Sequence, residues 1–426
     1  MYMYYNLYFC YFRSQFSDII SEILIYFYVI KHIFITCFYN LNSFINFANV
    51  MSGLYIHIPF CGSKCSYCDF YSIVASPLHG DFIKAIEKEI DLRYSEINFD
   101  FLRTIYIGGG TPSIINDKIL APFLTNISDK LCKSPLDEFT VEMNPDDVTE
   151  KKVNMFKKAG CNRVSIGVQS MVDSELRAIS RRHSSQKVVD SVSIFRDCGI
   201  DNISIDLMFG LPLQTIDTLR YSIDKILDLS PMHISCYGLM YELDTLLYRM
   251  RNDGMIKEID EDTYIKMYSI VSESLRNAGF EHYEISNYAK PGYRSLHNSS
   301  YWNGTPYVGI GPSAHSYDGN CIRRYNPNDV RKYIKTLSNC EIFYVEEVES
   351  KKDIHNDYIL TRLRTSQGIQ RQLYEDKFGA DAWSLLVSKT HRRVESGAVE
   401  LTDERLVLTE IGFLTSDDII SDLFIE

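Results

Sequence analysis

The chain has 426 residues, 45% of them hydrophobic and 23% charged, enough for one large α/β core and a smaller appended domain, which excludes a single small module. Its 44 Lys and Arg against 56 Asp and Glu leave a net charge of −12, opposed to gripping phosphate backbones, so nucleic acid is not an expected partner. Eleven cysteines in so long a chain, with no cleavable signal-peptide pattern, argue against a disulfide framework and for free thiols or metal ligation in a reducing, cytoplasmic setting.

In chain order, residues 1–50 stand apart: sixteen are Phe or Tyr and only Arg13, Asp18, Glu22 and Lys31 are charged. Ile19 to Tyr39 is the one candidate membrane segment, but Ser21, Glu22, Lys31 and His32 break it into runs shorter than the ~20 apolar residues a span needs. No stable membrane insertion is expected, and the segment reads as an atypical extension translated ahead of a start at Met51.

From Met51 onward, β-branched and aromatic runs alternate with helical patterns, the signature of repeated βα units. Leu54–Ile58, Thr104–Ile107, Phe139–Met143, Arg163–Val168, Ile203–Met208 and His233–Tyr237 predict six strands. Asp81–Arg93 and Thr149–Ala159 predict amphipathic helices between them, the second stopped by Gly160. Six parallel units make a partial (β/α)6 barrel whose site collects at the C-terminal strand ends, and Cys61, Gly108–Gly110, Glu142, Gln169 and Asp206 fall there. After about residue 290 a Gly-, Pro- and aromatic-rich stretch gives way to predicted helices at Asp353–Arg364 and Asp381–Glu395. Val399–Leu401 and Leu406–Leu408 are expected to pair across a turn, as in a winged helix. The acidic Glu395, Glu400, Asp403 and Glu404 make this a packing or docking module rather than a DNA reader. The expected domains are thus 51–290 and 291–426, the latter α+β.

The strongest chemical signal is YIHIPFCGSKCSYCDF, with Cys61, Cys65 and Cys68 spaced C-x3-C-x2-C. Three thiolates on one short loop suit a 4Fe-4S cluster with one iron left open. The alternatives are three buried cysteines or a zinc knuckle, which wants a fourth ligand nearby in a closed tetrahedral site. Gly108–Gly110 before Thr111 gives a side-chain-free turn that can approach a ligand closely.

These motifs carry a family resemblance. From Leu54 to about Tyr325, and more weakly beyond, GGGTPS (Gly108–Ser113), EMNP (Glu142–Pro145), RVSIGVQS (Arg163–Ser170) and DLMFGLPLQT (Asp206–Thr215) resemble the coproporphyrinogen dehydrogenase-like branch of the radical S-adenosylmethionine (SAM) proteins. That branch includes the oxygen-independent oxidase HemN and the heme chaperone HemW. The resemblance implies a 4Fe-4S cluster on Cys61, Cys65 and Cys68 whose open iron is chelated by SAM. It also implies SAM contacts from Tyr55, Gly109, Gly110, Thr111, Glu142, Gln169, Arg181 and Asp206. Read without it, Gln169 and Asp206 could cap loops and Arg181 could be a solvated helix charge. Ile179-Ser180 also departs from the Leu-Gly that usually precedes this arginine in the family.

Two features divide the branch. The oxidase carries a further cysteine two positions after its third ligand, where this chain has Phe70. HNSSYW at His297–Trp302 matches the HNxxYW signature associated with heme: by the resemblance His297, Tyr301 and Trp302 contact heme, an imidazole being a fit axial ligand and the rings fit surfaces for the macrocycle. His282 and His315 are the alternative ligands. The expectation is a HemW-type heme chaperone that delivers heme to acceptor hemoproteins, with coproporphyrinogen III oxidation as the alternative.

Overall fold

Alternation within the first strand shows how the sheet is built. Leu54, Ile56 and Ile58 are fully buried on one face, under the helices, while Gly53, Tyr55 and His57 occupy the other. A computed structural model of the chain describes residues 52–74, 77–97, 102–132 and 135–425. The extension 1–50, with its candidate membrane segment, lies outside the described residues.

Six strands recur with this logic: β1 (Ser52–Ile58), β2 (Leu102–Gly109), β3 (Glu138–Met143), β4 (Arg163–Gln169), β5 (Asn202–Phe209) and β6 (His233–Gly238). Each pairs in parallel with the next. Each is followed by a helix: His79–Leu92, Asp117–Leu131, Glu150–Lys158, Ser185–Asp197, Ile216–Asp228 and Glu261–Asn277. This is the partial (β/α)6 barrel that the sequence predicts. The expected helix boundaries hold to within two residues; Thr149 caps the third helix by accepting from Lys152 N, and Gly160, at φ +100°, follows its end.

The stretch after residue 280 does more than the sequence suggests. It supplies β7 (Glu281–Glu284) and β8 (Asn287–Ala289) beside β6, then β9 (Tyr307–Ile310), β10 (His315–Tyr317), β11 (Ile322–Tyr325) and β12 (Val345–Val348) beside β1. The sheet order is β12-β11-β10-β9-β1-β2-β3-β4-β5-β6-β8-β7, twelve strands in all. The β1 edge is tied to helix His79–Leu92 by a buried polar cluster. Arg93 donates to Glu89, Gly309 O and Ser316 Oγ, and Glu89 also accepts from Gly311 N, Asn326 and Tyr333.

Helices Lys351–Leu363, Arg371–Phe378 and Ala380–Glu395 precede the hairpin β14 (Val399–Leu401) and β15 (Arg405–Leu408). The hairpin is joined by a third strand, β13 (Ile369–Gln370), that was not expected, which completes the winged-helix arrangement. Glu410, just after the hairpin, accepts from His282 Nδ1 at 3.0 Å and Ser272 Oγ at 2.6 Å, docking the module on the barrel. Among the described residues no helix is long and apolar enough to cross a membrane.

Candidate functional site

Beyond β1 the chain turns into the cysteine loop, closed by a short parallel pairing of Phe60–Cys61 with Ile73–Val74. The loop is pinned from two sides: Ser66 N donates to Ile179 O and Leu247 N donates to Ser66 O, at 3.3 and 2.8 Å. Cys61, Cys65 and Cys68 are free, half-buried thiols, and all three line a cavity of about 460 Å³. Thr111 Oγ1 lies 3.7 Å from Cys61 Sγ and Arg181 Nη1 lies 3.6 Å from Cys65 Sγ, each as donor. Burial pushes the Cys61 thiol up and the Cys68 thiol to about 11. Thiolates at these positions therefore need a cationic partner to be stable.

Gly108–Gly110 closes the next side. A Cβ on Gly109, which has φ +103°, would stand 2.4 Å from the His57 ring, and one on Gly110 would meet Phe60 O at 2.7 Å. Gly110 N and Thr111 N donate to Ile58 O and Phe60 O, so only glycine lets this turn lie flat against the start of the cysteine loop. Gly109 N also donates to Glu142 Oε2 at 2.9 Å, and Tyr106 donates to Oε1 at 2.7 Å. Loss of solvent pushes the carboxyl of Glu142 up to about 7 and that of Asp206, which accepts from Ser165 Oγ at 3.2 Å, to about 6. Both carboxyls are thus poised to gain from a cationic ligand.

The structure brings Gly109, Gly110, Thr111, Glu142, Gln169, Arg181 and Asp206 to this one cavity. Gln169 reaches it from a left-handed backbone, φ +68°, at a bulge between β4 and β5. Arg181 is anchored by Gly167 O rather than solvated. Tyr55 does not line the cavity; it lies beneath, hydrogen-bonded to His57 Nδ1 at 2.9 Å with its ring 6.0 Å from Tyr106. Two lining residues, Arg163 and Asn298, were not singled out from sequence. Arg163 had a signal, a cation opening an otherwise apolar strand run; its side chain is 1% exposed and its Nε has no partner.

HNSSYW packs against the N-terminal ends of the strands, with Asn298 reaching the cavity from below. It forms a helix, Leu296–Asn303, ended by Gly304 at φ +75°. Glu138, the first residue of β3, accepts from Ser295 Oγ, Leu296 N and His297 N at 3.1, 2.7 and 3.2 Å, pairing donors that a helix N-terminus leaves open. His297 is fully buried, with Nδ1 2.8 Å from Thr104 Oγ1 and Nε2 2.8 Å from Tyr301 Oη. As placed, it has no open nitrogen for an iron. His282 is likewise engaged, by Glu410 and Ile285 O, whereas His315 is exposed and stacks on Tyr325. Trp302 is half-buried, its ring under the Arg364 guanidinium at 5.4 Å and its carbonyl held by Arg362.

Comparison with known proteins places this geometry. The profile described as "Radical SAM superfamily" matches residues 55–226 and that described as "HemN C-terminal domain" matches residues 350–415. The heme chaperone HemW of Bacillus subtilis (strain 168) is 36% identical over 374 residues, 87% of this chain and 98% of the relative. The chain belongs to the HemW family. HemW of Lactococcus lactis is 32% identical over 88% of this chain and 98% of its own. The structure of Escherichia coli coproporphyrinogen III oxidase HemN superposes with a TM-score of 0.75 over 90% of this chain and 93% of that one; at 19% identity the likeness is one of fold.

Membership in the HemW family and the radical SAM superfamily implies a 4Fe-4S cluster and SAM, and the residues present fit both. Among the described residues no three His, Cys, Asp or Glu side chains converge on a single metal ion, as zinc would require; a cubane instead takes its three thiolates on three separate irons. Cys61, Cys65 and Cys68 would hold it, with Thr111 and Arg181 donating toward the sulfurs. When bound, the cluster supplies an open iron for the amino and carboxylate groups of SAM and a low-potential electron. The chain's own part is to enclose the cavity with Gly109 and Gly110 and to set carboxyls and cations around it.

Proposed function

We propose that the chain is a heme chaperone, binding heme and passing it to an acceptor hemoprotein in the cytoplasm, with the cluster and SAM supporting or regulating the transfer. In this reading Cys61, Cys65 and Cys68 ligate the cluster. Gly109, Gly110, Thr111, Glu142, Gln169, Arg181 and Asp206 contact SAM directly, and Tyr55 lies beneath them, bonded to His57. Residues 51–290 form the radical SAM core, and 291–426 carry the heme-linked motif and the winged-helix module.

The observation that carries the proposal is the HNSSYW helix at the barrel end away from the cysteine loop. Its Tyr301 and Trp302 give flat apolar surface, and Arg362 and Arg364 beside Trp302 bring charge suited to the propionates of heme. Phe70, 66% exposed beside the cluster cysteines, supports a chaperone over an oxidase, because a phenyl ring supplies neither the iron ligand nor the hydrogen atom that a cysteine there could.

The test is anaerobic. Cluster-loaded protein should bind heme and transfer it to an apo-hemoprotein, and should form no protoporphyrinogen from coproporphyrinogen III with SAM and reductant. Robust protoporphyrinogen formation would overturn the reading.

A further inference from the structure

A continuous column of side chains, buried at Tyr106 and His297 and half-buried at Glu142 and Tyr301, runs from the cavity toward the N-terminal ends of the strands. At the top, Glu142 lines the cavity and accepts from Tyr106. The Tyr106 ring stacks on His297, 5.2 Å between centroids and 30° between planes. His297 in turn holds Tyr301 through Nε2, their rings 5.3 Å apart and edge-on. The column has no slack: a Cβ on Gly53 would meet the His297 ring at 3.3 Å and Thr104 Oγ1 at 3.0 Å.

The motif helix also forms part of the cavity itself. Asn298 lines it together with the cluster cysteines. Among the described residues the Asn298 side-chain amide has no hydrogen-bond partner, only its backbone N being engaged, by Ser295 Oγ. Near it, Arg163 presents a buried, unpaired Nε to the same space. A buried unpaired Nε on Arg163 and a half-buried amide on Asn298 that no protein group engages are positions where a ligand's own polar atoms can bond without displacing a protein partner.

We infer that Asn298 is a SAM-binding residue and that, through the helix it shares with His297, Tyr301 and Trp302, SAM occupancy and heme occupancy are thermodynamically linked. The inference rests on the heme reading above and deepens it. His297 is then a positioning residue, a strut between Tyr106 and Tyr301, and not the iron ligand. A ligand group that fixes Asn298 orders the first turn of an eight-residue helix whose last turn carries the heme-side rings, so SAM should tighten heme binding. Linkage makes the effect reciprocal.

The experiment is a heme titration of the cluster-loaded full chain, followed by Soret absorbance, with and without saturating SAM. The expected result is a heme Kd at least about fivefold lower with SAM, the lower end of ordinary coupling. In Asn298→Ala, SAM affinity measured by equilibrium dialysis should fall and the ratio of the two heme Kd values should approach one at SAM concentrations that saturate the variant. His297→Gln, which keeps a polar side chain of similar reach, should leave the Soret maximum in place and reduce the ratio. A heme Kd indifferent to SAM in the wild type, or a full ratio retained in Asn298→Ala, would overturn the linkage while leaving the chaperone reading intact. A Soret shift in His297→Gln at full iron content would make His297 the ligand and overturn the strut. Failure of the wild type to bind heme under either condition would instead be failure of the chaperone reading.

Discussion

Tyr106 donates its phenolic proton to Oε1 of Glu142 at 2.7 Å, so a cavity carboxyl shares its position with a ring that reaches the far end of the barrel. The hydrogen bond stabilises the carboxylate, yet burial outweighs it and leaves the Glu142 carboxyl at about 7. SAM brings a sulfonium, which favours the ionised carboxyl and lowers its pKa on binding. The sign follows from linkage: the free protein holds a proton that the complex releases, so SAM affinity falls as pH drops below about 7, approaching tenfold per pH unit. Equilibrium dialysis between pH 5.5 and 8 measures it. Glu142→Gln should make the fall below pH 7 less steep; a wild-type profile no steeper than that of the variant would remove Glu142 from the SAM site.

The cluster ligands make a second test. Anaerobic reconstitution should load about four irons per chain, and each of Cys61→Ala, Cys65→Ala and Cys68→Ala should abolish loading. Because burial holds the Cys68 thiol near 11, its alkylation in the cluster-free protein should accelerate with pH up to that value, since only the thiolate reacts. Cys161 and Cys236 are buried among apolar side chains, and their removal should leave iron content unchanged.

How much of this was legible in the sequence differs between the two ends. The cysteine loop and strands β1–β6 are written locally, in C-x3-C-x2-C and in runs such as Leu54–Ile58 that sit between turn residues. The glycine turn is likewise local, because Gly109 and Gly110 are needed where they stand. The motif helix is not. Asn, Ser, Tyr and Trp are indifferent helix formers, and HNSSYW has no apolar periodicity; its local signals are only the caps, Ser295 accepting from Asn298 N and Gly304 at φ +75°, and its first donors are satisfied by Glu138, more than 150 residues earlier. Strands β9–β12 were missed for the same kind of reason. Their place beside β1 is set by the Arg93–Glu89 cluster, whose partners Gly309, Gly311 and Asn326 lie more than 200 residues on.

That dependence predicts the outcome of removing Glu138. Glu138→Ala would leave Ser295 Oγ, Leu296 N and His297 N without their acceptor, at about 1–3 kcal/mol for each donor that stays buried and unpaired. A loss of roughly 3 kcal/mol is expected in urea unfolding, with faster amide exchange concentrated in residues 296–303. Glu138→Gln, which keeps an acceptor oxygen, should recover part of it. Equal exchange rates in wild type and Glu138→Ala would show that packing alone holds the helix.

The last prediction concerns the heme face. Trp302 is half-buried, and its ring already carries Arg364 on one side, so a porphyrin would stack against the ring while its propionates meet Arg362 and Arg364. Trp302→Ala removes the aromatic surface and should weaken heme binding roughly tenfold, or about 1.4 kcal/mol, within the range of aromatic stacking and area loss. Trp302→Phe should restore most of the affinity, because stacking needs a ring but not the indole N–H, whose Nε1 has no partner here. Arg364→Gln should weaken heme more at low ionic strength than at high, the mark of a charge contact rather than a packing one. Iron and sulfide content should be the same in all three variants, since the cluster cysteines sit at the other end of the strands. Heme affinity unchanged in both Trp302→Ala and Arg364→Gln would move the macrocycle away from the motif helix, and exposed His315 would then be the residue to replace next.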